Sequence, residues 1–563
     1  MLSPYKRRNL ICCDIPAPQA PIIFSSTFED TPPLQNTAPS SPEDQHHSTS
    51  LRLFYGIFGL IGLHALVWVL AHGIANTNLD SYADMLENYA WGQNLAWGSA
   101  KHPPFFAWVT GVWFLIFPTQ DTAYYLLSFL NVALGLLGVY RLAQALRLPS
   151  LALPAALLLC MAFPYSTLAA KFNANSILLS LWPWVAVAWV HSVRHAGRSG
   201  WLWSVALGLL SAMAMLSKYY SGVFLLGIFL VALVSHEGRS WFVTPKPWLA
   251  LLVFGLGLLP HLQWLRSHDF VTLQYISEQG GESGTDWRQV FKFALAPMAY
   301  WLLPWLLSAW LFAPGQPSFV QRLMGWPPRL VRCWLPQGWS DTLFWLAMLP
   351  WLITLVFGVT GFVELSLPWA IPVGFGFSLL WLRNLTAAQA DVSQASPPLR
   401  RWMLGWCVVV VLVSPWHAWY QSKEGANNFY LPRREAATEL LNGWEQRHPD
   451  LRLRWVGGAW AENALLAFYG DDSIQVVPGV PDQFPATVNP LAGWQRQGGL
   501  LLCPLGQLEK PTPTDCPQQM QAWLEAHGQK AEPIRITVES QGFWISKRIP
   551  FVYLAFDYLP IRP

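Results

Sequence analysis

The sequence predicts a mainly α-helical, polytopic membrane protein with a small α/β domain at its C-terminal end. Three observations carry this. Of 563 residues, 53% are hydrophobic and only 12% charged, about half the charge of an ordinary soluble chain. The 34 tryptophans exceed what a soluble core uses, and Trp and Tyr collect where hydrocarbon meets water. Apolar runs near the length needed to cross a bilayer recur from residue 52 to residue 420.

Residues 1–50 are rich in Pro, Ser and Thr, as in "PAPQAPIIFSSTFEDTPPLQNTAPSSPEDQHHSTS". Their apolar content is too low to offset the entropy of ordering, which predicts a disordered tail. "KRR" at 6–8 is followed by no apolar stretch of signal-peptide length.

The first clear span is 52–72, "RLFYGIFGLIGLHALVWVLAH". Further candidates are 122–146, 151–169, 175–192, 202–216, 219–235, 247–265, 292–313, 343–360, 366–382 and 402–420. The short proline-bounded stretch 104–118 reads better as an interfacial helix than as a crossing. This predicts 11–13 spans within a membrane domain at 51–420. Basic loops at 141–150, 191–201 and 322–334 face the cytoplasm by the positive-inside rule. That places the first loop, 73–104, outside.

From residue 421 the pattern changes. Residues 433–447 have a helical period, "LRLRWVGG" alternates as a strand, 460–468 is a second helix and "SIQVV" a second strand. Helix alternating with strand predicts an extracytoplasmic α/β domain over 421–563. Of the seven cysteines, Cys503 and Cys516 both lie here and could pair in an oxidising compartment, whereas Cys160 and Cys407 lie in apolar runs.

The chemistry concentrates in "SYADMLENYAWGQNLAWGSAKHPPFFAW", 81–108. If 80–93 is helical, Asp84, Glu87 and Trp91 share one face. Two carboxylates there repel, and acids beside a bilayer are functional candidates by default. Lys101 and His102, ahead of two prolines, offer cations suited to an anionic phosphate. Lys171, Asn173 and Asn175 sit at the mouth of a span, and Lys218 with Tyr219 lies between two apolar runs. These lysines either snorkel to headgroups or meet a lipid phosphate. Glu364 borders the membrane with no assigned role. Asp84, Glu87 and His102 have no diagnostic metal spacing, so a divalent metal stays open, and no cofactor is implied. No basic cluster interleaved with aromatics suggests nucleic acid. No Walker or dinucleotide fingerprint occurs.

"DMLENYAWGQNLAWGSAKHPPFFAW", "KFNANSILLSLWP" and "LSKYYSGVFLL" resemble the bacterial glycosyltransferase family 39-like proteins. These are related to protein O-mannosyltransferases and aminoarabinose lipid A transferases, with the GT-C membrane fold. The resemblance covers about residues 51–420. It implies inverting transfer of a sugar from a polyprenyl-phosphate donor to a lipid, glycan or protein hydroxyl at the outer face of the bacterial inner membrane, as in lipopolysaccharide modification. By that resemblance Asp84 is the base, with Glu87 orienting the acceptor or supporting a metal. Lys101, His102, Lys171, Asn175, Lys218 and Tyr219 would bind substrate. Members commonly carry adjacent "DE" acids, whereas Met85 follows Asp84 here, so Asp80, Asp84 and Glu87 all stay open as the base. The rival classes are a polyprenyl-lipid or glycolipid transporter, which should bury charges inside its spans, and a non-catalytic lipid-binding homologue.

Overall fold

The computed structural model describes residues 42–80, 82–279, 285–313, 317–386, 392–423, 430–483, 491–530, 532–539 and 548–560. The chain divides into two units, Met1–Tyr55 and Gly56–Pro563. Most of the expected tail, 1–41, lies outside the described residues, and the helix Pro42–Ala75 begins within its last part.

Among the described residues six helices can cross a membrane by length and composition: Gly56–Ala75, Asp121–Ala145, Gly197–Ser217, Lys246–Ser267, Thr342–Val359 and Pro397–Tyr420. Three bent pairs raise the number to nine: Pro149–Leu159 with Phe163–Ala170, Ser221–Val234 with His236–Phe242, and Trp287–Tyr300 with Leu302–Leu311. The 11–13 apolar runs counted from the sequence thus include some that are shorter helices, among the described residues, than a full crossing needs. Residues 366–382 form two short 3-10 turns and the start of the helix Phe377–Thr386, with Pro368 and Pro372 in the irregular part. The run at 175–192 becomes the helix Leu178–Arg194, buried on nearly every side rather than facing lipid. Apolar composition marks burial as well as membrane crossing, and here the two are mixed. The helix Phe105–Phe114 has 10 residues and is about 15 Å long, too short to span, in line with the interfacial reading of 104–118.

The C-terminal part is a six-stranded mixed sheet. Its strands are β1 Leu453–Gly458, β2 Gln475–Val476, β3 Gly498–Gln507, β4 Lys510–Pro511, β5 Ile534–Glu539 and β6 Pro550–Tyr558. The order is β2-β1-β3-β6-β5, with β4 on β3. β1 runs parallel to β2 and β3, while β6 is antiparallel to β3 and β5. The helix Arg433–Arg447 precedes β1, where the helical period predicts it. Trp455, Trp494, Trp523 and Tyr558 pack into a separate aromatic cluster of this part. Cys503 and Cys516 are joined as a disulfide.

Candidate active site

The first loop is held close against its neighbours. The helices Asp84–Gly92 and Phe105–Phe114 cross at Gly92 and Gly111 with their backbones in contact; a Cβ on Gly111 would fall on the Gly92 carbonyl oxygen. Only glycine permits that approach. Just before the first helix Ala83 adopts φ +56°, the left-handed region, which costs a non-glycine residue about 1 kcal/mol. The turn it makes brings the carboxylates of Asp80 and Asp84 to one cation.

That cation is Lys171, whose Nζ lies 3.1 Å from Asp80 Oδ2 and 2.8 Å from Asp84 Oδ2. Lys171 follows directly on the bent pair ending at Ala170, where an 80° bend delivers it to the mouth of the bundle. Asn173 donates its amide to Asp84 Oδ2 at 3.2 Å, while its own Oδ1 accepts the backbone N–H of Asn175 and Ser176. Both bonds to Asp84 thus fall on Oδ2. Among the described residues, Oδ1 accepts no hydrogen bond.

The three first-loop acids sit in different surroundings. Asp80 is buried, and its backbone carbonyl accepts a bond from Arg433. Burial pushes its carboxyl above the ordinary range, with Lys171 and Arg433 opposing in part. Glu87 is also buried, and both its oxygens take bonds from Lys101 Nζ, at 3.3 and 3.1 Å. Burial raises its carboxyl too, and Lys101 and the indole of Trp460 offset only part of that. Asp84 keeps a side chain 32% exposed. The shared helical face expected for Asp84 and Glu87 is tolerated because each acid meets its own lysine.

Asp84 opens into a cavity of about 590 Å³ lined also by Lys101, His102, Lys218, Tyr219, Tyr275, Gln289, Lys292, Glu364 and Trp369. Lys218 donates to Asn175 Oδ1 at 2.6 Å. Burial brings its ammonium down to about 7, Asp84 favouring the charge and Lys101 opposing it. Burial, then the charges of Lys218 and Lys101, hold His102 well below the usual imidazole range. That favours a neutral ring for His102 over the cation expected from the sequence. Tyr219 donates to or accepts from His261 at 2.5 Å. Among the described residues no carboxylate lies within ion-pair distance of Lys218 or Lys292. A second cavity, of about 450 Å³, is lined by side chains such as Trp68, Met161, Tyr300 and Val410 and by no acid, lysine or arginine.

Of the eight site residues the sequence predicts, Asp84, Lys101, His102, Lys218 and Tyr219 line the cavity. Glu87, Lys171 and Asn175 stand behind it and hold those that do. Lys171, which the sequence leaves open between headgroups and a lipid phosphate, pairs with two carboxylates; burial lowers its ammonium, but their charge outweighs that and keeps it above the ordinary lysine range. Sequence reasoning missed Lys292, whose signal is a cation inside the apolar pattern "VFKFALAP". It also missed Tyr275 and Gln289, which carry no such signal. Among the described residues no three His, Cys, Asp or Glu side chains are grouped so as to hold a metal ion.

The C-terminal part contacts the residues that stand behind this cavity. Arg433, 1% exposed, binds Glu462 at 2.7 Å and Asn78 Oδ1 at 2.9 Å. Trp460 donates to Glu87 Oε1 at 2.7 Å. Arg434 pairs with Asp121, and the Gln93 amide donates to the Ile474 carbonyl.

Comparison with known proteins bears on the fold. Residues 101–264 match the sequence model of the family described as dolichyl-phosphate-mannose-protein mannosyltransferase. The crystal structure of ArnT from Cupriavidus metallidurans bound to undecaprenyl phosphate superposes with a TM-score of 0.55 at 13% identity, covering 88% of this chain and 97% of that one. The apo state of the same protein gives 0.55 at 14% identity, covering 90% and 98%. No curated protein sequence gives a significant match. The fold is that of the GT-C membrane glycosyltransferases. Within that class this chain is ArnT-like: a multi-pass helical membrane part carrying a small C-terminal sheet.

Proposed function

We propose that the protein is a membrane glycosyltransferase that moves a sugar from a polyprenyl-phosphate donor to a hydroxyl acceptor, with Asp84 as the base. One observation carries this reading: the half-buried carboxylate Asp84 and the cations Lys101, Lys218 and Lys292 line one cavity. Sugar transfer from a phosphate carrier needs both, a base for the acceptor proton and positive charge for the leaving phosphate. The undecaprenyl phosphate bound by ArnT and the mannosyltransferase family matched at 101–264 support the substrate class.

In this mechanism Asp84 Oδ1 takes the proton of the acceptor hydroxyl. The freed oxygen attacks the anomeric carbon as the carbon–phosphate-oxygen bond breaks, and the electron pair leaves on the polyprenyl phosphate. One displacement inverts the anomeric centre. Lys171 and Asn173, both on Oδ2, keep the carboxylate aimed. Lys101, Lys218 and Lys292 neutralise the departing phosphate, and Glu87 orients Lys101. No nucleotide loop is required, because the donor arrives on its lipid.

The reaction would take place at the outer face of the inner membrane. The disulfide Cys503–Cys516 suits an oxidising compartment, which favours the C-terminal part, 421–563, lying in the periplasm. Arg194 bonding the Ala145 carbonyl, and Lys246 the Ser192 carbonyl, bring the basic loops 141–150 and 191–201 together, which favours one cytoplasmic face for both. The acceptor class, lipid, glycan or protein, is read out by the test itself.

The test is transfer of labelled sugar from a polyprenyl-phosphate donor in membranes carrying the wild type or Asp84→Asn. Loss of transfer with retained binding of polyprenyl phosphate is expected. Wild-type transfer by Asp84→Asn would remove the base assignment, and a wild type that neither binds the carrier nor transfers would remove the reading.

A further inference from the structure

The C-terminal sheet contributes a side chain to the edge of the cavity without lining it. β1 ends at Gly458, with φ +101°, where a Cβ would fall on the Leu502 carbonyl oxygen. Glycine there lets the chain leave the sheet sharply, and two residues later Trp460 meets the first-loop helix. Its indole N–H donates to Glu87 Oε1 at 2.7 Å. The same carboxylate holds Lys101 Nζ at 3.1 Å, and Lys101 lines the cavity. The Trp460 ring lies 5.9 Å from Trp91, which in turn stands edge-on to His102 at 5.9 Å. Both cavity residues of the Lys101-His102 pair are thus reached from one tryptophan, by a hydrogen bond through Glu87 and by ring packing through Trp91.

The chemistry of the two groups decides the direction of control. Indole offers one donor and no acceptor. It therefore orders the Glu87 carboxylate through Oε1, which it shares with Lys101, and leaves the shorter Oε2 contact to the lysine. A buried carboxylate with one partner removed must find another or reorient, since an unmet acceptor is costly. We infer that Trp460 is a positioning residue for the proposed transfer: through Glu87 it sets where Lys101 presents its charge to the donor phosphate. This rests on the proposed function for the identity of the anion, though not for the linkage itself. It also gives the C-terminal sheet a part in donor recognition.

Two measurements on the full-length protein in detergent test this. Acylation of Lys101 by an activated ester, followed by mass spectrometry, needs no substrate. Trp460→Phe, which keeps a ring and removes the donor, should raise Lys101 labelling about threefold or more. Glu87→Gln should raise it to a similar extent, and the double variant should add nothing, since both act through one link. Trp460→His, which retains a ring N–H, should return labelling toward wild type. In transfer assays Trp460→Phe should raise the donor KM by a similar factor and lower kcat while leaving the acceptor KM unchanged, a split that general loosening of the fold would not produce. Unchanged labelling in Trp460→Phe, labelling in Trp460→His equal to that of Trp460→Phe, or effects of the Trp460 and Glu87 substitutions that multiply would overturn the inference. The labelling changes without any transfer by the wild type would remove the function reading and leave the positioning role standing.

Discussion

Lys171 Nζ lies 2.8 Å from Asp84 Oδ2 and binds Asp80 with the same ammonium. One cation thus serves a buried acid and a cavity-facing acid. The buried partner sets the energetic stake. Asp80 is 1% exposed, and a buried carboxylate stripped of its cation is far more costly than an exposed one.

Replacing Lys171 with Met should therefore lower stability by about 3 kcal/mol and abolish transfer. Adding Asp80→Asn should restore most of the stability by removing the uncompensated charge. Thermal melts in detergent on the single and double variants check both. A single variant as stable as wild type would show that Asp80 is held neutral without Lys171.

Lys218 should make donor binding pH-dependent. Its ammonium titrates near 7, so below that pH it is charged and attracts the donor phosphodiester, which does not itself titrate in this range. As pH rises through 7 the charge is lost unless the donor retains it. Donor affinity should then fall by up to about tenfold per pH unit. Donor KM measured from pH 6 to 9 should rise in the wild type and stay flat in Lys218→Met. The same shift, from an ordinary value of 10.5, has a sign for folding as well. The unfolded chain holds the extra proton between about 7 and 10.5, so the contribution of Lys218 to stability improves as pH rises through that window.

Gly111→Ala places a Cβ on the Gly92 carbonyl oxygen, a backbone atom that cannot move aside alone. The helices Asp84–Gly92 and Phe105–Phe114 must separate, at a cost of about 1–3 kcal/mol. Because Asp84 and Glu87 ride on the first of them, transfer should fall more steeply than the melting temperature. Parallel melts and transfer assays read this out; wild-type activity in Gly111→Ala would mean that the crossing does not position Asp84.

The short stretch around Asp84 was legible in the sequence because its signals are local. Acids, aromatics and a Lys-His-Pro-Pro boundary fall within one loop, and Asp84, Lys101, His102, Lys218 and Tyr219 do line one cavity. The count of spans was not legible, because "LPWAIPVGFG" and "LLSLWPWVAVAWV" are equally apolar whether they cross lipid or sit inside the bundle. The roles of Lys171 and Glu87 were legible only in part. A lysine at a span mouth has the same sequence signature whether it meets a phosphate or two carboxylates.

Composition and run length alone determined the membrane class, the helical character and the mixed helix-strand C-terminal part. Those properties depend on burial averaged along the chain. Tertiary structure alone decided which charge meets which. Asn173 bonds Asp84 from 89 positions away, and Trp460 bonds Glu87 from 373 positions away. Such pairs arise because packing brings distant side chains into the same low-dielectric place, where each must find a partner. That is why Asp84 faces the cavity while Asp80 and Glu87 stand behind it.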